Sequence, residues 1–175
     1  MLEKYLRQTH FSSQEDFKEN LHINVPDNFN FAYDVVDEWA RIEPDRKALL
    51  WTNDENKHRQ FTFAEMKHYS DRTASYFSSL GIRRGDMVML ILKRRYEFWF
   101  SILALHKLGA ICTPATHLLT DKDIEYRCQR ASIKAIVCAG EKTITDHIAK
   151  ALPACPTVEK IISVGPLIPP GFENF

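Results

Sequence analysis

The chain has 175 residues, 45% of them apolar, and its 23 Lys and Arg balance 23 Asp and Glu. A chain this long folds to roughly 8,800 Å² of surface from about 29,000 Å² unfolded, so a core can form without disulfide or metal staples. Charge neutrality excludes a strongly basic nucleic-acid binder, and the longest unbroken apolar run, Met87 to Leu92, is far shorter than the roughly 20 residues of a membrane helix.

Residues 1–30 are polar and uneven and read as an N-terminal helical extension. Leu2, Tyr5 and Leu6 suit one short helix, and Phe17 and Leu21 another. The start, MLEKYLRQTH, lacks the apolar stretch of a secretory signal, so a cytoplasmic location is expected. Ala32, Val35, Val36, Trp39 and Ala40 fall on one helical face, ended by Pro44. Ala48–Trp51 and Gln60–Phe63 flank a polar stretch and predict a hairpin. Thr62 and Glu65 form a capping-box pattern for a helix ending at Gly81, where a left-handed cap belongs.

A regular alternation follows. Strands are expected at Met87–Leu92, Ala110–Ala115, Lys134–Ala139 and Lys160–Val164. Helices are expected at Tyr96–Leu108 (apolar nearly all round, hence buried, and closed by Gly109, which permits the reversal into the next strand), from Thr120 onward, and around Ile144–Leu152. Continuously apolar strands alternating with helices predict an α/β fold with a mostly parallel sheet and helices on both faces. The Gly165–Gly171 segment cannot continue a strand or helix, so 166–175 reads as a proline-rich truncated end. The four cysteines are too widely spaced for a metal or redox pair, and free core thiols are expected.

Ligands of open parallel sheets sit beyond the carboxyl ends of the strands. Three segments qualify: Lys93-Arg94-Arg95, Thr113–His117, and Gly140-Glu141-Lys142. Lys93, Arg94 and Arg95 oppose the dipole of the helix they precede, which favours an anionic partner such as phosphate. Thr116 and His117 offer a hydroxyl and an imidazole, but no acid stands close in sequence to orient His117. The chain has no G-x-G-x-x-G, P-loop, G-x-S-x-G or H-E-x-x-H motif, and no His cluster spaced for a metal. No catalytic set is legible.

Phe61-Thr62-Phe63-Ala64-Glu65-Met66 resembles the first core motif of the acyl-adenylate-forming enzymes, and Leu105–Pro114 resembles the second. Gly81-Ile82 followed by Gly85-Asp86-Met87-Val88 resembles the linker between them. Leu92–Trp99 is similar to the corresponding stretch of medium-chain acyl-CoA synthetases and acetyl-CoA-synthetase-like relatives. The resemblance spans roughly residues 30–165 and makes 31–165 part of a large N-terminal domain. It implies a parent enzyme that couples a carboxylic acid to coenzyme A through an acyl-adenylate, using ATP, Mg²⁺ and CoA.

The family's phosphate loop, acidic Mg²⁺ residue, ribose-binding Asp, hinge and catalytic Lys have no match in this sequence. The fragment alone is therefore expected to be inactive and to bind no cofactor. By the same resemblance, Thr116, His117 and Leu118 lie near the acyl and pantetheine channel. The implied partners are the small-molecule carboxylic acid and the remainder of the same polypeptide, with self-association through an exposed apolar docking face. A stand-alone flavodoxin-like binding or regulatory module is the rival reading. It is disfavoured as a phosphoacceptor because cations, not an acid, follow Met87–Leu92. A nucleotide-binding oxidoreductase lacks its glycine fingerprint.

Overall fold

The computed structural model describes residues 2–175. Its core is a five-stranded, wholly parallel sheet in the order β4-β3-β5-β6-β7, with a separate antiparallel hairpin β1-β2. The side chain of Leu2, expected on the first short helix, lies outside what is described. A 3-10 turn, Leu2–Lys4, leads to Leu6, which bridges Ile23 in antiparallel fashion. Helix α1 (Gln14–Asn20) follows, its start fixed by Ser13, whose hydroxyl accepts from Asp16 N–H.

The helix expected from Ala32 departs from the α form. Ala32–Asp37 is π-helical and runs into α2 (Glu38–Ile42). Its wider turn has bonds spanning five residues instead of four. Ala32 and Val36 reach the core, while Val35 and Trp39 stay half-buried. Asn30 anchors the start: its Oδ1 accepts from Ala32 N–H, and its own N–H donates to Asp34.

β1 (Lys47–Thr52) and β2 (His58–Thr62) pair as expected, Leu50 opposite Gln60 and Trp51 opposite Arg59. The chain enters α3 (Phe63–Ser79) directly, with the Thr62/Glu65 box formed in both directions. The βα alternation is then completed by β3 (Met87–Ile91), α4 (Glu97–Leu108), β4 (Ile111–Pro114), α5 (Asp121–Ala131), β5 (Ala135–Ala139), α6 (Lys142–Ala151) and β6 (Lys160–Val164). β7 (Glu173–Asn174) was not expected. After the Gly165–Gly171 connection the chain returns to pair with Ile162 and Ser163 of β6. Phe175 then packs edge-on against Tyr76 and Phe77.

Alternate strand residues feed two cores, as the period of two requires. Val88, Leu90, Ala135, Val137 and Ile162 face α3 and α4, and Met89, Ile91, Ile136, Cys138 and Ile161 face α5 and α6. A third cluster, around Phe61, Met66, Phe100 and Leu103, ties the hairpin and the π-helical segment to α3 and α4. α4 therefore packs on both sides. It is not buried all round, however: Trp99 is 46% exposed.

Candidate functional site

After β3 the chain turns to one face of the sheet, to form α4. After the neighbouring strands β4 and β5 it turns to the other face, to form α5 and α6. Loops that part in this way open a crevice at the carboxyl ends of the strands. A cleft of about 750 Å³ lies there, and the loops after β3, β4 and β5 line it with Lys93–Arg95, Ala115–His117 and Glu141. The turn of the hairpin closes it with Trp51–Glu55.

The two candidate groups from separate strand ends thus share one cleft. Thr116 and His117 are exposed on its wall; Thr116 Oγ1 accepts from Leu118 N–H at 3.3 Å. Leu118 does not line the cleft and is 76% exposed, while Leu119 enters the core in its place. The three cations are held differently. Lys93 takes φ +51°, and its ammonium sits 2.6 Å from Glu141 Oε2. Arg94 is almost fully exposed, 4.0 Å from Asp54, and its carbonyl accepts from the Trp51 indole N–H. Arg95 is mostly buried. A Cβ on Gly165 would stand 2.8 Å from its guanidinium, so the glycine leaves room for it.

Glu97 lies 4.0 Å from Arg95, yet burial outweighs this and pushes its carboxyl above the usual range. Its Oε2 is buried without a hydrogen-bond partner. The cleft offers cations and donors suited to an oxyanion, and among the described residues no serine or cysteine lines it. The sequence reading missed the hairpin turn. Its only signal was a polar stretch between two strands, and nothing local says that this separate hairpin folds over the sheet end.

A second hollow, of about 310 Å³, is an apolar trough between the π-helical segment with α2, the hairpin, the start of α3 and α4, walled by Phe31, Trp39, Leu49, Phe63 and Trp99. A hollow of about 440 Å³ joins the two, sharing Leu49 and Trp99 with the trough and Trp51 and Lys93–Arg95 with the cleft. The cysteines are free. Burial raises Cys112 to about 11 and Cys128 and Cys138 to about 12, which leaves them as unreactive thiols at neutral pH.

Residues 36–171 match the family model of AMP-binding enzymes. The chain is 32% identical over 157 residues to the mitochondrial acyl-coenzyme A synthetase ACSM5 of Rattus norvegicus, covering 86% of this chain and 27% of that protein. It is 36% identical over 160 residues to the mitochondrial acyl-coenzyme A synthetase ACSM2A of Homo sapiens, covering 88% of this chain and again 27% of the relative. The chain thus spans about a quarter of the length of these relatives. An acetoacetyl-CoA synthetase from Streptomyces lividans shares the fold, with a TM-score of 0.75 at 22% identity over 83% of this chain and 24% of that one. Among the described residues no helix is long and apolar enough to cross a membrane. The capping box at Thr62, the Gly109 reversal and the strand-end cleft all fall within the matched span, and the chain belongs to the AMP-binding enzyme family.

Proposed function

We propose that this chain is the N-terminal part of an AMP-forming acyl-CoA synthetase. The parent would convert ATP, a carboxylic acid and CoA into acyl-CoA, AMP and pyrophosphate. The observation that carries the reading is the match of residues 36–171 to the AMP-binding enzymes, supported by relatives whose names are acyl-coenzyme A synthetases. Within the proposal, Lys93, Arg94 and Arg95 contact a phosphate of the substrate or product, and Thr116, His117 and Leu118 border the acyl and pantetheine channel. The apolar trough is the face on which the rest of the polypeptide docks. Mg²⁺ would neutralise phosphate charge in the parent. Among the described residues no group of three or more His, Cys, Asp or Glu side chains converges to hold it. The cytoplasmic location remains part of the proposal, beside relatives named as mitochondrial. A stand-alone flavodoxin-like module has no observation in its favour.

Pyrophosphate release tests the reading. With ATP, CoA and a panel of carboxylic acids, the 175-residue chain should release none. The same chain extended by its downstream reading frame should release pyrophosphate and make acyl-CoA. Release by the chain alone, or none by the extended protein with any acid, would overturn the proposal.

A further inference from the structure

Lys93 and Glu141 stand at the carboxyl ends of neighbouring strands, β3 and β5, whose final paired residues are Ile91 and Cys138. Each holds an unusual position. Lys93 adopts φ +51°, a left-handed conformation that non-glycine residues avoid. Glu141 occupies the N-cap of α6, where a short polar side chain would ordinarily accept from the first backbone N–H groups, but it makes no such bond. Its carboxylate instead reaches across the crevice to the Lys93 ammonium at 2.6 Å, with the two side chains 35% and 41% exposed. Arg94, Arg95 and His117 line the same cleft, as do Asp54 and Glu55 on the opposite wall.

We infer that Glu141 is an internal competitor in this cleft: a carboxylate that occupies Lys93 until a phosphate-bearing ligand displaces it. The inference rests on the proposed phosphate contact of Lys93–Arg95. A monoanion such as acetate or chloride offers Lys93 no more than Glu141 already gives. A multiply charged phosphate group brings more charge to the ammonium and has further oxygens for the guanidinium forks. The latch imposes the same displacement cost on every anion that needs Lys93, so it weakens them all, and an anion with charge and acceptor oxygens to spare for Arg94 and Arg95 is the kind that still binds.

Inorganic pyrophosphate binding to the chain, followed by calorimetry or phosphorus NMR, tests the latch. Glu141→Gln should tighten binding about two- to fivefold, the range set by freeing one partly exposed ion pair. Asp54→Asn makes the same charge change on a fully exposed, 4.0 Å pair and should give a smaller gain. In a Lys93→Met background the Glu141→Gln gain should vanish. If the gain equals that of Asp54→Asn, or survives without Lys93, only the general field of the cleft is at work and the latch is overturned. If pyrophosphate binds and is weakened by Arg95→Ala, yet Glu141→Gln changes nothing, the latch fails while the phosphate contact stands. If neither the wild type nor Glu141→Gln binds pyrophosphate at millimolar concentration, both fail.

Discussion

Gly109 and Gly140 fill similar places, each at the junction of a helix and a strand, for different physical reasons. Gly109 takes φ +67° at the end of α4, and an added Cβ would meet only the flexible Arg84 side chain, at 3.1 Å. Gly140 has an ordinary φ, but an added Cβ would stand 2.5 Å from the Leu167 carbonyl oxygen and 2.8 Å from Ser163 Oγ. Those two atoms are themselves joined by a 2.6 Å hydrogen bond, and Gly140 N–H donates to Val164 O, so neither can yield cheaply. Gly109→Ala should cost about 1 kcal/mol, the usual backbone strain. Gly140→Ala should cost about 2–3 kcal/mol, because the connection after β6 must shift. Urea unfolding of both variants checks the order; equal losses would mean that the connection gives way freely. Gly109 was legible in the sequence because it closes a helical pattern. Gly140 was not, since the backbone that crowds it comes from the far side of β6.

At the scale of elements, local chemistry marked the boundaries well. The Thr62 and Thr120 boxes start α3 and α5 where the pattern puts them, and β6 runs over Lys160–Val164 as expected. Two of the departures, the π-helical turn and β7, depend on tertiary contacts. β7 is two residues long and is held by the β6 edge, by Tyr76 Oη donating to Asn174 O, and by Lys160 pairing with Glu173. The turn before β3 is tied to the turn before β5 by Lys134, which donates to Gly81 O and to Asp86. Burial raises the Asp86 carboxyl, but the bonds from Lys134 and from Arg83 N–H outweigh it and hold the group below the usual range. A carboxyl lowered in the folded state stabilises above its unfolded pKa of about 3.9, and that contribution is lost as pH falls through the folded value. Asp86→Asn should therefore lower stability at pH 7 by about 1 kcal/mol. Its deficit against the wild type should begin to shrink below about pH 4 and close as pH falls through the folded value. A deficit that stays constant from pH 7 to pH 2 would show that the carboxylate charge is not what matters.

Taken whole, the molecule exposes 10643 Å², about a fifth more than the roughly 8,800 Å² of a compact monomer of its mass. Part of the exposed surface is apolar: Phe31 and Trp99, 48% and 46% exposed, wall the trough, and Leu50, 71% exposed, lines the hollow that adjoins it. The helical pattern of α4 shows that Trp99 belongs to an apolar element, but it cannot show that only some faces of that element find a partner. Which face stays open is decided by where the hairpin and the π-helical segment settle. Exposed apolar side chains grouped around open hollows are what a neighbour would cover, in keeping with the proposal that further polypeptide docks there. The wild-type chain should bind the dye ANS, and Leu50→Lys combined with Trp99→Lys should cut the fluorescence by at least half. Because both positions are exposed, the double variant should keep its unfolding temperature within a few degrees. If dye binding is unchanged while the fold is intact, the open apolar face lies elsewhere. A large fall in unfolding temperature would instead show that Trp99 already serves the core of this chain, and the trough would then be a packing feature and not a place for a missing neighbour.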